Sequence, residues 1–177
     1  MRKSLTTIFF LTLLPLSLTA QDVPKVEVFG GYQYLRLGGG NPAVNENGWN
    51  ASVAGNINKN LGIAADFSGE YKTLNGISVR SYTYTFGPVV SLNREGRINP
   101  FAHALFGGTH LGVTLSGINT VSGAANGFTM IYGGGADMRL TQHLAFRIGQ
   151  ADWVFYRISG SNSRKNIRLS TGIVFRF

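Results

Sequence analysis

The chain has 177 residues, enough for one domain, and no cysteine, which excludes a disulfide framework and any cysteine-based zinc site. Its net charge of +8 and isoelectric point near 10.1 raise nucleic acid as a partner. Against that, only 14% of residues are charged and the basic ones are scattered, with Arg164-Lys165 the only close run.

The first segment, "MRKSLTTIFFLTLLPLSLTA", starts basic at Arg2 and Lys3 and continues into an apolar run too short to cross a membrane. Ala20 then precedes Gln21-Asp22. The expected reading is a secretory signal peptide over 1–20, although Leu18 stands where a smaller residue is usual. Export argues against nucleic acid, so the expected partner of a mature chain carrying 8 − 2 = +6 is an acidic surface such as lipopolysaccharide.

From residue 21 onward no apolar stretch is long enough for a membrane helix and no run has helical spacing; alternation recurs instead. Val26, Val28, Tyr32 and Tyr34 oppose Glu27, Gly31 and Gln33. Trp49, Ala51 and Val53 oppose Asn50 and Ser52. In "LGIAADFSGEYK" Leu61, Ile63, Phe67 and Tyr71 share one parity while Asp66, Ser68, Glu70 and Lys72 share the other. Tyr82, Tyr84, Phe86 and Val90 oppose Ser81, Thr83, Thr85 and Ser91. "PFAHALFGGTHL" is strand-like without a clear phase, because His103 and Phe106 fall on opposite parities. Phe128, Met130, Tyr132 and Ala136 oppose Thr129, Gly133, Asp137 and Arg139, and Leu144, Phe146 and Ile148 oppose Arg147 and Gly149. Finally "RLSTGIVFRF" sets Leu169, Ile173, Phe175 and Phe177 against Arg168, Ser170, Gly172 and Arg176, with Thr171 the only polar interruption of the apolar parity.

Strands place successive side chains on opposite faces, so the pattern predicts eight antiparallel strands of roughly nine to twelve residues, the length that crosses a bilayer when tilted. Polar stretches at 36–47, 72–78, 112–127 and 157–166 are expected as loops at one end, with shorter turns at 58–60, 93–99 and 141–143 at the other. Alternation alone also fits a soluble lipocalin-like carrier with its apolar face inward. Three features favour apolar-outward: the polar parity is rich in Gly, Ser and Thr, charge is low, and a phenylalanine ends the chain.

With those residues in view, the chain resembles the OmpA/OmpX-type small outer-membrane barrels, the outer membrane protein beta-barrel domain group. "STGIVFRF" carries the resemblance, supported by "INPFAHALFGG" and "FRIGQADWVFYR", and it covers 26–177. It implies an all-β, eight-stranded up-and-down transmembrane barrel over 21–177, monomeric, in the bacterial outer membrane among its lipids and lipopolysaccharide. It also implies that Leu169, Ile173, Phe175 and Phe177 form a C-terminal signal read by the outer-membrane assembly machinery.

If the apolar parity faces lipid, the other fills an interior just wide enough for side chains. Glu27, Asp66, Glu70, Asp137, Arg139, Arg147, Arg168 and Arg176 would then meet as a lumen ion-pair network plugging the barrel, because unpaired charges are costly in a confined interior. A three-residue turn at 141–143 sets Asp137 opposite Arg147. Asp152 falls on the lipid parity, so either a bulge turns it inward or it lies in the rim. His110 near the outer rim lacks a His-x-Ser neighbour and a carboxylate to orient it, so the expected role is structural or surface-interacting and non-catalytic, with no cofactor. A narrow solute channel is the alternative, and a lipid A-modifying enzyme a weaker one.

Overall fold

The eight strands are β1 (Val26–Leu37), β2 (Val44–Asn56), β3 (Leu61–Leu74), β4 (Ile77–Ser91), β5 (Ile98–Leu115), β6 (Val121–Arg139), β7 (Leu144–Ile158) and β8 (Ser161–Arg176). The computed structural model describes residues 24–38, 44–74, 77–115, 121–158 and 160–177; the signal peptide expected over 1–20 lies outside them. Each strand pairs antiparallel with the next, and β1 closes on β8 into a barrel. The closing seam sets Glu27 opposite Arg176 and Phe29 opposite Val174. Phe177 donates its N–H to the Val26 carbonyl at 2.9 Å and accepts from Lys25 N–H at 2.6 Å. The chain end is therefore stitched into the sheet, where an exposed terminus would fray.

The strands are longer than the sequence reading expected, running from 12 to 19 residues. Most of what read as loops at 112–127 and 157–166 is ladder: β5 continues to Leu115, β6 begins at Val121, and β7 and β8 are joined through a turn containing Gly160 at φ 81°. Small polar residues there still satisfy their backbone groups by pairing, as any buried or semi-buried peptide must.

The outer surface is apolar to an extent no water-soluble domain tolerates: Phe86 is 67% exposed, Trp153 58% and Ile63 56%. Near the end opposite the termini its aromatic rings are hydrogen-bonded to one another. Trp49 Nε1 donates to Tyr71 Oη at 3.3 Å, Tyr71 Oη meets Tyr82 Oη at 3.5 Å, and Tyr32 Oη donates to Asn47 at 2.7 Å. Amphipathic rings linked this way form the belt found where a barrel leaves the hydrocarbon. Trp49 lies flat across Gly69 on β3, where a Cβ would come within 2.6 Å of the indole nitrogen, so the glycine is needed for the ring to cover the strand.

The segment without a clear phase resolves with odd residues inward: Asn99, Phe101, Leu105 and Thr109 are buried, His103 is nearly so, and Phe106 points outward. The parity of β7 changes midway. Asp137 faces Arg147 and Ala136 faces Gly149, while on the other side Arg147 pairs with Gly172 and Gln150 with Ser170. One extra residue at Ile148-Gly149 thus bulges the strand, and the inward set switches from Ala145 and Arg147 to Gln150, Asp152, Val154 and Tyr156. Thr171 explains its own departure from the apolar pattern: its hydroxyl donates to the Arg147 carbonyl at 2.8 Å, where the bulge interrupts the ladder.

Candidate functional site

The interior is built in layers, starting at the end that carries the termini. Arg176 Nε lies 3.1 Å from Glu27 Oε1 across the β1–β8 seam. Arg94, from the turn between β4 and β5, is buried beside them and donates to the Asn58 carbonyl at 2.7 Å; burial holds its guanidinium below the usual value, with Glu27 opposing that effect. Above, Arg147 grips Asp137 through two bonds, Nε–Oδ1 at 2.8 Å and Nη2–Oδ2 at 3.2 Å. The same guanidinium is sandwiched by Phe29 and Phe101, with ring centroids 4.1 and 4.4 Å away.

The next layer is centred on Arg168. It binds Asp152 at 2.8 Å through Nε and Asp66 at 2.8 Å through Nη1, and all three side chains are buried. Asn50 donates to Asp66 at 2.9 Å, His103 Nε2 lies 2.9 Å from Asp152 Oδ1, and Gln150 links Asp152 (2.7 Å) to Arg147 (2.6 Å). A continuous polar chain therefore joins β2, β3, β8, β7, β6 and β5. Glu70 belongs to a separate cluster one step further out, held by Gln33 Nε2 and by Ser68 Oγ at 2.8 Å.

The structure brings Asp66, Arg168, Asp137 and Arg147 into one chain, joins Glu27 to Arg176, and leaves Arg139 exposed at the end of β6, outside these pairs. Arg139 lies next to the turn, too close to the end for its inward parity to enclose it. Members that the sequence reading missed are His103, Gln150, Asn50, Gln33 and Arg94; Asp152 enters through the bulge. Only the bulge had a signal, the misplaced acid itself.

The filling is not uniformly polar, as the parity reading expected. Leu35, Leu105, Ile131 and Val154 form an apolar cluster with Tyr156 inside the barrel. These residues lie in runs where both parities are apolar, as in "DWVFYR", so alternation could not assign them a face. A cavity of about 30 Å³ lies between Phe101 of this cluster and Phe29, His103, Asp137 and Arg147, room for very few waters.

At the outer end a second register shift, Val154 opposite Asn166 but Tyr156 opposite Ser163, gives β8 an extra residue at Arg164-Lys165. Arg164 consequently lies out over the Phe155 ring, 5.7 Å from its centroid, and its carbonyl accepts from Trp153 Nε1. Met130, Tyr132, Trp153, Phe155 and Arg164 line a groove of about 490 Å³ on this side. Gly38 N–H donates to the Lys165 carbonyl at 2.9 Å and Arg36 pairs with Ile167, so Arg36 stands beside them; Arg157 follows on β7. Bases that are scattered in sequence are thus gathered on three adjacent strand ends.

A closed antiparallel cylinder, apolar and aromatic-belted outside and ionic within, is a transmembrane β-barrel. The chain belongs to the outer membrane protein beta-barrel domain family, whose profile matches residues 6–177. It is a bacterial outer-membrane protein. Among solved structures it resembles Ail, the attachment invasion locus protein of Yersinia pestis, at 17% identity, covering 88% of this chain and 99% of that one with a TM-score of 0.65. Neisserial surface protein A matches at 13% identity over 86% of this chain and 97% of that one, TM-score 0.64. The N-terminal β-barrel domain of Pseudomonas aeruginosa OprF matches at 9% over 88% and 99%, TM-score 0.56. No curated protein matches the sequence.

Proposed function

We propose that the protein is a non-catalytic, monomeric barrel whose lumen is sealed to solutes and whose outer rim engages the anionic glycolipid of the surrounding leaflet, lipopolysaccharide. The observation that carries this reading is the β8 bulge, which turns Arg164 outward beside Lys165, Arg157 and Arg36 above an aromatic groove. A phosphorylated lipid placed there would set its phosphates on guanidinium forks and its chains against Trp153 and Tyr132. A barrel of the same fold, Ail, has been crystallised with the heparin analogue sucrose octasulfate, a polyanion. The three histidines support the non-catalytic reading: His103 is committed to Asp152, exposed His110 pairs with Asn126 at 2.7 Å, and exposed His143 sits in the turn between β6 and β7.

The test is retention of bisphosphorylated lipid A against its dephosphorylated form by the refolded barrel. Arg157→Ser, Arg164→Ser and Lys165→Ser combined should lower phosphorylated lipid A binding by roughly a hundredfold, at about 1 kcal/mol per basic residue near a charged surface. Equal retention of both lipids by the native barrel would refute the reading.

We further propose that residues 1–20 are removed on export and that Leu169, Ile173, Phe175 and Phe177 are read by the assembly machinery. All four project outward from the closing strand, Phe177 at 67% exposure. Phe177→Ala should leave refolding in detergent intact while lowering the amount assembled in outer membranes; equal losses in both would make the role merely structural.

A further inference from the structure

Above the ionic layers the internal apolar cluster continues, through Leu35 and Tyr156, into the wall of an open vestibule. The vestibule encloses about 500 Å³, the size of a small-molecule site. Its walls are the inward side chains of Leu35, Leu37, Val79, Leu111, Tyr156 and Ile158. Within this apolar collar Glu46 is 4% exposed, and it forms no hydrogen bond or ion pair with a described residue. A carboxylate set among apolar walls with no direct hydrogen bond is costly; Lys72, the one cation lining the same space, attracts it from beyond contact distance while Glu70 repels it.

Charge along the lumen is unevenly distributed. The outer half holds Glu46, Glu70, Asp66 and Asp152 against Lys72 and Arg168, with His103 beside Asp152; the inner half holds Glu27 and Asp137 against Arg94, Arg147 and Arg176. The outer half is therefore short of positive charge, and its vacancy is lined with hydrocarbon.

We infer that the vestibule is a binding site for a small organic cation, an amine carrying a compact apolar body, with Glu46 as its counter-ion. The apolar body fills the collar and the ammonium donates to the Glu46 carboxylate. The sealed layers below make this a dead-end site, so the ligand enters and leaves by the outer mouth. This inference does not depend on the glycolipid reading, since the two sites lie on opposite sides of the wall.

The probe is 1-aminoadamantane, compared with 1-adamantanol and 1-adamantanecarboxylate, titrated into methyl-labelled full barrel refolded in nanodiscs. The amine should produce saturable shifts at the methyls of Leu37, Val79 and Ile158. The alcohol should bind roughly tenfold more weakly, the worth of one charge-assisted hydrogen bond, and the carboxylate should not bind. Glu46→Gln should bring the amine down to the alcohol's affinity, and Lys72→Gln should tighten the amine, which keeps the test decisive if either variant folds poorly. Equal shifts from all three compounds, shifts confined to outward methyls such as Ile63, or an unchanged affinity in both variants would overturn the assignment.

Discussion

Arg168→Met should destabilise the barrel by about 3–5 kcal/mol, because it strands two buried carboxylates that share one guanidinium. Asp66 and Asp152 are each 2.8 Å from Arg168, and neither has another arginine in contact. Asn50, Gln150 and His103 would remain as partners, but none of them replaces the guanidinium that bridges both carboxylates. Combining Arg168→Met with Asp66→Asn and Asp152→Asn should recover most of the loss, since buried ion pairs often add little over neutral side chains of similar size. Urea unfolding of the refolded protein measures both. A single variant as stable as the native protein would mean that the layer is hydrated and open, and the sealed lumen would be lost with it.

Deleting Ile148 and Gly149 together should have the larger effect: little or no heat-modifiable barrel should form. The bulge at Ile148-Gly149 lets Arg147 and Asp152 both face inward although their spacing is odd. Deleting Gly149 alone removes the extra residue and leaves a straight strand with an even spacing, so both keep facing inward and that variant should assemble. Deleting both residues leaves β7 one short of its partners and forces either Gln150 and Asp152 or Ala145 and Arg147 onto the lipid face, because a one-residue slip inverts every side chain beyond it. An arginine at mid-membrane depth costs about 2–4 kcal/mol, and its former partners lose their ion pairs as well. Gly149→Ala keeps the residue count, and a Cβ there meets nothing within 4 Å, so it should assemble normally. The contrast of the single with the double deletion, read as unboiled against boiled gel mobility, separates register from chain length. Normal assembly of the double deletion would show that β7 has no fixed register.

These two variants also mark where the sequence was legible. Period-two alternation is strong wherever one face meets lipid, so strand number, the closing partner of β8 and most inward charges could be read from it. Asp152 on the wrong parity was a true signal of the bulge, because a lipid-facing carboxylate demands an explanation. Hydropathy reports lipid contact and not strand, however, so the outer extensions of β6 and β8, made mostly of small and polar residues, read as loops. Where both faces are apolar, as at Leu105, Ile131 and Val154, alternation carries no phase, which hid the internal apolar cluster and the collar of the vestibule. His103 and Gln150 were missed for a related reason: their roles depend on neighbours brought in by non-local pairing, Gln150 on Arg147 past the bulge and His103 on Asp152 across the barrel.

The chain's two tryptophans, Trp49 and Trp153, allow its central claim, apolar face to lipid and ionic face within, to be tested on the native protein. Both lie on the outer surface, 43% and 58% exposed, in the belt opposite the termini. Refolded into vesicles of lipids brominated at successive acyl positions, they should be quenched strongly, and most strongly by bromine near the headgroup, while aqueous acrylamide quenches weakly. Fluorescence indifferent to bromine, from a protein that stays dissolved without detergent, would contradict the account and place the apolar face inside.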